Sequence, residues 1–115
     1  MLVRSLDEVR VSATACLIEG ETLAEFLLPV SCFVTSYGRD AGPGPHVHPY
    51  PELFIVQDGR ATFSVGGTDR EVAAGHFVVV PAETVHSFRN PADAVLRVVS
   101  VQPSPRVEQR FVDDD

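Results

Sequence analysis

The chain of 115 residues contains no lysine and no tryptophan, and it has only two cysteines and two tyrosines. Nine arginines stand against sixteen aspartates and glutamates, which gives a formal net charge of −7. An acidic chain of this kind repels phosphate backbones, and without tryptophan it offers little aromatic surface on which bases could stack. We therefore expect no nucleic-acid partner. The absence of lysine also counts against phosphorylated substrates, which converging cationic side chains usually bind.

Long apolar runs are also missing. No stretch approaches the roughly 18 uninterrupted apolar residues that a membrane span requires, and the first twenty residues contain no apolar block typical of a signal peptide. Cys16 and Cys32 stand among apolar neighbours, without the spacing of a metal motif or a disulfide framework. We expect both to be packed thiols in a cytoplasmic protein that has no membrane partner.

What the chain does contain is a series of short apolar runs separated by glycine and proline. The length allows a single domain, 1–115, for which we expect a core at about 32–101, an N-terminal strand arm at 1–28 and a C-terminal tail at 102–115. Alternation with period two favours an all-β domain closed as a sandwich or barrel. The predicted strands are Val9–Leu17, Leu23–Leu28, Cys32–Tyr37, Leu53–Gln57, Ala61–Val65, Glu71–Ala73, Phe77–Val80, Ser87–Arg89 and Val95–Val101. A short C-terminal helix is predicted as well, with Ser104 as its N-cap and Pro105 at its first position.

Three of the four histidines and one glutamate form the strongest chemical pattern. In an extended segment His46 and His48 project from the same face, and a proline-rich turn can bring Glu52 toward them. If the apparent strand that begins at His86 lies alongside, three imidazoles and one carboxylate converge. That set suits one divalent transition metal (Fe, Mn, Ni, Zn, Co or Cu) with positions left for water or substrate. Two histidines two residues apart are also typical of a half-exposed strand edge, and a lone histidine is typical of a packed core.

The same residues fall into a frame that resembles the cupin family. The positions that match its first motif, Gly-x5-His-x-His-x3-4-Glu-x6-Gly, are His46, His48, Glu52 and Gly59. Those that match its second motif, Gly-x5-Pro-x-Gly-x2-His-x3-Asn, are Gly75, Pro81, His86 and Asn90. Three residues depart from the frame. Asp40 stands at the opening glycine, Glu83 replaces the glycine after the proline, and His76 follows Gly75 where many members have aspartate.

The resemblance implies a double-stranded β-helix, or jelly-roll barrel, that holds one divalent metal inside it. The implied ligands are His46, His48, Glu52 and His86. Glu52 would also be the catalytic residue, a ligand that accepts a proton when it detaches. Alternation from Glu52 and His86 places further aromatic side chains in the same interior, where they would line a pocket for a small apolar or aromatic molecule. The predicted pocket residues are Tyr37, Tyr50, Phe54, Phe63, Phe77 and Phe88, although core packing is the alternative role for the phenylalanines.

The first hypothesis from these observations is that the protein is a metal-dependent enzyme that acts on a small organic molecule. Dioxygenation is the favoured reaction, because three imidazoles and one carboxylate suit Fe(II). The alternatives are non-redox isomerase, cyclase or lyase chemistry at a Lewis-acidic metal, and a non-catalytic module that binds a small ligand. The alternating run Val9–Leu17 lies outside the cupin frame, and small cupins commonly add such a strand to a partner's sheet. A homodimer is therefore predicted.

Overall fold

Two antiparallel sheets of five strands each make up the structure, a computed structural model that describes residues 1–112. The strands are β1 Ala15–Ile18, β2 Ser31–Tyr37, β3 His46–Val47, β4 Glu52–Asp58, β5 Arg60–Val65, β6 Thr68–Ala73, β7 Phe77–Val80, β8 His86–Arg89, β9 Leu96–Gln102 and β10 Arg110–Phe111. The front sheet has the order β1-β2-β9-β4-β7, and the back sheet has the order β10-β3-β8-β5-β6. The predicted all-β jelly roll is thereby confirmed.

The N-terminal region differs from the prediction. Only the end of the predicted strand Val9–Leu17 is extended, as part of β1, and Leu6–Val9 forms a 3₁₀ turn. The strand predicted at Leu23–Leu28 is wrong, because α1 occupies Glu21–Ala24 and the chain then turns through a left-handed residue, Leu27, at φ 56°. Among residues 1–112, no helix is long and apolar enough to cross a membrane.

The C-terminal helix predicted from Ser104 is also wrong. The Ser104 carbonyl, which would accept the first hydrogen bond of the helix, and the Val107 N–H, which the N-cap side chain would bind, are bonded to distant parts of the chain instead. The Ser104 carbonyl accepts a hydrogen bond from the Ser31 hydroxyl at 2.6 Å, and the Val107 N–H donates to the Glu19 carboxylate at 2.8 Å. The segment then ends as β10, which pairs with β3. Tertiary hydrogen bonds therefore override the local capping signal.

The hydrophobic core lies between the sheets. Its aromatic centre contains Phe54, Phe63 and Phe88, whose ring centroids lie 4.9–5.5 Å apart. Edge-to-face and stacked contacts of this kind add to the free energy gained from apolar burial. The other buried members are Val56, Ala61, Val80, Leu96 and Val98.

Two positions in the loops show why the motif residues matter. Gly59 has φ 76°, and a Cβ at this position would lie 2.6 Å from the Val95 carbonyl oxygen, so only glycine fits without a shift. Glu83, which replaces a motif glycine, nevertheless adopts a left-handed conformation at φ 59°. Its N–H donates to the His48 carbonyl at 2.8 Å. The turn that leads to β8 therefore stores strain of about 1–2 kcal/mol.

Candidate metal centre

The four side chains implied as metal ligands meet between the two sheets. His46 of β3 lies directly opposite His86 of β8 in the back sheet, and Glu52 begins β4 in the front sheet. His48 is the residue that comes directly after β3. One potential ligand atom from each of the four lies within 4.8 Å of the others, and none of the four residues is more than 5% exposed. The fold therefore brings together all four residues that the sequence singled out.

Backbone carbonyls fix the orientation of all three imidazoles. Each ring directs its Nδ1 at a carbonyl oxygen, which assigns the proton to Nδ1 and leaves Nε2 available as a ligand. For His46, His48 and His86 the accepting carbonyls belong to Gly44, Glu108 and Thr84, at 2.8, 2.8 and 2.9 Å respectively. These carbonyls therefore hold the three rings with their Nε2 atoms available as ligands.

The centre contains a polar atom without a hydrogen-bond partner. Glu52 Oε1 lies 2.9 Å from His48 Nε2 and 3.2 Å from His86 Nε2. Within the described part of the chain, His48 Nε2 is buried and has no hydrogen-bond partner. An unsatisfied buried polar atom costs about 1–3 kcal/mol. A cation among these atoms would remove that cost, and the set of three imidazole nitrogens and one carboxylate oxygen fits a divalent transition metal.

The protonation states suit cation binding. Burial raises the pKa of Glu52, but its contacts with His48 and His86 outweigh burial and hold that pKa below its usual value. Burial lowers the pKa of His46, and the two neighbouring imidazoles lower it further, against the effect of the Gly44 carbonyl. Burial also acts to lower the pKa of His48, but Glu52 and the Glu108 carbonyl raise it overall, so a metal must displace a proton there.

A comparison with known families identifies this arrangement. The Cupin domain family model matches residues 33–102, which is more than half of the chain and includes all four residues of the centre. The chain belongs to the cupin family. An uncharacterized protein of Streptomyces coelicolor is 35% identical to this cupin over 83 residues, which are 70% of this chain and 78% of that protein.

Solved structures with the same fold include two oxalate enzymes. Oxalate oxidase in complex with the substrate analogue glycolate superposes with a TM-score of 0.71 at 22% identity, over 89% of this cupin and 57% of that chain. Oxalate decarboxylase of Bacillus subtilis gives a TM-score of 0.79 at 17% identity, over 93% of this cupin and 31% of that chain. A protein of Photorhabdus luminescens gives 0.71 at 17% identity, over 89% and 85% of the two chains. This cupin thus spans little more than half of the first enzyme and a third of the second, and the likeness concerns the fold.

A cavity of about 150 Å³ in this cupin adjoins the centre. Three of the predicted pocket residues, Tyr37, Phe54 and Phe88, line it together with His46 and Glu52. Its polar lining residues are uncharged apart from the centre itself, and, within residues 1–112, no arginine lines it. The other lining residues are Ala15, Phe33, Thr35, Pro43, Val98, Ser100, Gln102, Gln109 and Phe111.

The other three predicted pocket residues lie elsewhere. Phe63 is buried in the core behind the cavity, and Tyr50 contributes a hydroxyl to a network beside it. Phe77 does not face the interior at all, because its side chain is 70% exposed on the outside of the front sheet. In β7 it is Val80 that pairs with Glu52 and turns inward, so the predicted phase of this strand is wrong by one residue.

The network around Tyr50 contains two residues that the sequence did not reveal. The Tyr50 hydroxyl donates to Gln102 Oε1 at 2.6 Å, and Gln102 Nε2 donates to Glu52 Oε2 at 3.1 Å. The same hydroxyl accepts a hydrogen bond from the Glu108 N–H at 2.8 Å. Glu52 therefore has one oxygen directed at the imidazoles and the other held by Gln102. Extending the alternation of β9 by one step from Ser100 would have placed Gln102 on the inner face.

Proposed function

We propose that this cupin binds one divalent transition metal through His46, His48, Glu52 and His86, and that it acts on a small apolar or aromatic organic molecule in the adjoining cavity. The observation that carries the proposal is the buried His48 Nε2, which faces a carboxylate oxygen at 2.9 Å without a hydrogen bond. A protein interior normally pairs such atoms, and a bound cation is the partner that this donor set favours.

Fe, Mn, Ni, Zn, Co and Cu all suit three imidazoles and one carboxylate. Mn(II) is the first metal to test, because the oxalate decarboxylase of Bacillus subtilis, which shares the fold, is described with Mn(II) centres. Fe(II) is the second, because the proposed reaction is a dioxygenation.

When bound, the metal would supply Lewis acidity and, as Fe(II), reactivity toward dioxygen. The chain itself would supply orientation, a proton acceptor and a dry cavity. Glu52 would accept a proton from substrate, and Gln102 would hold its second oxygen in place. Phe54 and Phe88 would exclude water from one side of the cavity. Isomerisation, cyclisation or elimination at the same centre is the alternative, since it uses the same groups without oxygen.

The chemistry of the cavity favours a different class of substrate from oxalate. An oxalate dianion needs cationic partners, and the lining supplies none besides a bound metal. Apolar walls with a few hydroxyl and amide groups suit an uncharged molecule instead.

Metal analysis of protein purified without oxygen and then supplied with Mn(II) or Fe(II) tests the proposal. We expect about one equivalent of metal per chain, and loss of that metal in His48→Ala and His86→Ala. His76→Ala is the matched control, because His76 is exposed and, among residues 1–112, its imidazole is hydrogen-bonded only to the Ala73 carbonyl, so this variant should retain the metal. Less than about a tenth of an equivalent in the native protein would refute the metal centre.

The reaction is tested by oxygen uptake of the Fe(II) form with a panel of aromatic and enolic compounds. Uptake that depends on both the compound and His48 would support dioxygenation. Conversion of a compound without oxygen uptake would favour the isomerase or cyclase alternative. Saturable binding without conversion, unchanged in His48→Ala, would favour a ligand-binding module.

We also propose that the protein works in the cytoplasm as a homodimer. The two cysteines are both free thiols, which supports a reducing compartment. The strand-addition mode predicted for the N-terminal arm has less support, because β1 pairs with β2 of its own sheet and Arg10 forms a bridge to Cys16.

A further inference from the structure

A second cleft opens at the side of the molecule where β6 and β7 are the last strands of their sheets. Strand β6 pairs only with β5 in the back sheet, and β7 pairs only with β4 in the front sheet. The space between them has a volume of about 540 Å³, and we call it the edge cleft. Its lining comes from β5, β6, β7 and the turn that joins β6 to β7. Among residues 1–112, the edge cleft shares no lining residue with the cavity at the candidate metal centre.

The floor of the edge cleft is apolar. Phe63 belongs to the hydrophobic core, and three half-buried side chains of the same lining, Val65, Val72 and Val78, pack against that core. Phe63 and Phe77, which the sequence placed in a pocket but which do not line the metal-centre cavity, both line this cleft. Its volume falls in the range of about 300–1,000 Å³ that is usual for small-molecule sites. Such a floor suits the ring or the short hydrocarbon body of a small ligand.

One arginine stands beside this floor. Arg70 lies directly opposite Phe63 in the pairing of β6 with β5, so its side chain leaves the back sheet on the inner face, as Val72 does. Arginine can lay its hydrocarbon stem on apolar side chains and keep its guanidinium in water, and Arg70 is exposed and lines the cleft. Among residues 1–112, no carboxylate forms an ion pair with it. In a chain of net charge −7, an arginine without such a partner is available to an anionic ligand.

The neighbouring acidic groups do not compete for Arg70. Asp69 and Glu71 flank it in β6, so their side chains leave the strand on the opposite face. Glu71 is the acidic residue among those that line the cleft, and its carboxylate lies 2.6 Å from Arg60 Nη1. A guanidinium binds a carboxylate through two parallel hydrogen bonds. Because one guanidinium balances one negative charge, the cleft favours a monocarboxylate over a dianion.

We propose that the edge cleft is a second ligand site, which binds a small monocarboxylate with an aromatic or short aliphatic body. The body lies on Phe63, Val72 and Val78, and the carboxylate meets Arg70 at the mouth of the cleft. The Phe63 ring separates this site from the metal-centre cavity, because its other contacts are with Phe54 and Phe88 on the wall of that cavity, at centroid distances of 5.3 and 4.9 Å. The proposal therefore does not depend on the function proposed for the metal centre.

Titration of the full chain, supplied with Zn(II), with benzoate, phenylacetate and 3-phenylpropionate tests the proposal, followed by ¹H–¹⁵N NMR. We expect at least one of these acids to bind with a dissociation constant of about 1 mM or lower. The amide signals of β6 and β7 should shift more than those of His46, Glu52 and His86. The alcohol that corresponds to each acid should bind at least about tenfold more weakly, because it lacks the charge. His48→Ala, which removes a candidate metal ligand, should leave binding of the acid unchanged.

Arg70→Gln should weaken binding of the same acid at least about tenfold, and it should fold because Arg70 is exposed. Arg89→Gln is the matched control, since Arg89 is also exposed, does not line the cleft and follows the inward-facing Phe88 on β8. It removes the same charge and should leave binding unchanged.

The proposal would be overturned if none of the three acids bound saturably up to about 10 mM. Equal weakening in Arg70→Gln and Arg89→Gln, or equal binding of acid and alcohol, would also overturn it. Signal shifts confined to the surroundings of His46, Glu52 and His86, lost in His48→Ala, would assign the acid to the metal centre and would overturn it as well.

Discussion

The two faces of the front sheet come from the same strands, yet they have opposite chemistry. Phe54 points inward and Ile55 outward, and the same holds for Val98 and Val99 one strand away. The inner face is buried and carries polar groups, whereas the outer face, which lies away from the cavity, carries mainly apolar side chains, among them the exposed Ile55, Val79 and Phe77. This differs from the usual distribution of polar and apolar residues, because buried polar groups lie at the proposed reaction site and apolar side chains are exposed on the opposite face.

The inner face tolerates its polar groups because they are paired. The Thr35 hydroxyl donates to the Val98 carbonyl at 2.9 Å, and Gln102 spans the distance between Tyr50 and Glu52. Only where the four candidate ligands converge is a described buried side-chain atom left without a partner. Losing a hydrogen bond is costly in a low-dielectric interior. Substitutions on the inner face should therefore lower the free energy of unfolding more than substitutions on the outer face.

The largest expected difference concerns two adjacent residues of β4. Phe54→Ala removes a ring packed against two others and should lower the free energy of unfolding by about 3–5 kcal/mol. Ile55→Ala should cost about 1 kcal/mol or less at concentrations where the chain is monomeric, because its side chain is already half in water. Urea denaturation of the metal-free protein measures both. If Phe54→Ala fails to fold, Phe54→Leu gives a smaller loss of the same sign. Equal losses of unfolding free energy in Phe54→Ala and Ile55→Ala would contradict the assignment of the two faces.

A smaller effect is expected from the hydroxyl that supports Gln102. Tyr50→Phe removes the group that orients Gln102 and accepts the Glu108 N–H, so it should weaken metal affinity about tenfold. Tyr37→Phe is the control, because its hydroxyl lines the cavity without contacting a candidate ligand. Competitive titration of Mn(II) or Zn(II) against a chelator measures both affinities. Equal loss in the two variants would show that the Tyr50 network does not position Glu52.

The smallest effect concerns the strained turn that leads to His86 on the inner side. Glu83→Gly should stabilise the protein by about 0.5–1 kcal/mol, because glycine adopts φ 59° without a Cβ penalty although it loses more entropy on folding. Glu83→Ala keeps the Cβ and should give no gain. Urea denaturation at fixed pH compares the two variants with the native protein. A stabilised Glu83→Ala variant would show that the carboxylate, rather than the backbone, is responsible.

The sequence by itself predicted the fold class and the four candidate ligands. His46, His48, Glu52 and His86 occur at a fixed spacing, and glycine at position 59 is required by a turn in which a Cβ would strike a carbonyl. The period of a strand and the need for glycine at one turn can be recognised from residue types alone, whereas the four candidate ligands were predicted from the match to the two cupin motifs.

Only the tertiary structure decided which face β7 presents and what the C-terminal segment does. All four residues of Phe77–Val80 are apolar, so a period-two pattern cannot tell inside from outside, and pairing with β4 sets the phase. The segment after β9 has a capping signal for a helix, but hydrogen bonds to Ser31 and Glu19 and pairing with β3 outweigh it. The position of Glu108 beside the candidate metal centre follows from those contacts, which join residues far apart in the chain and therefore leave no local pattern in the sequence.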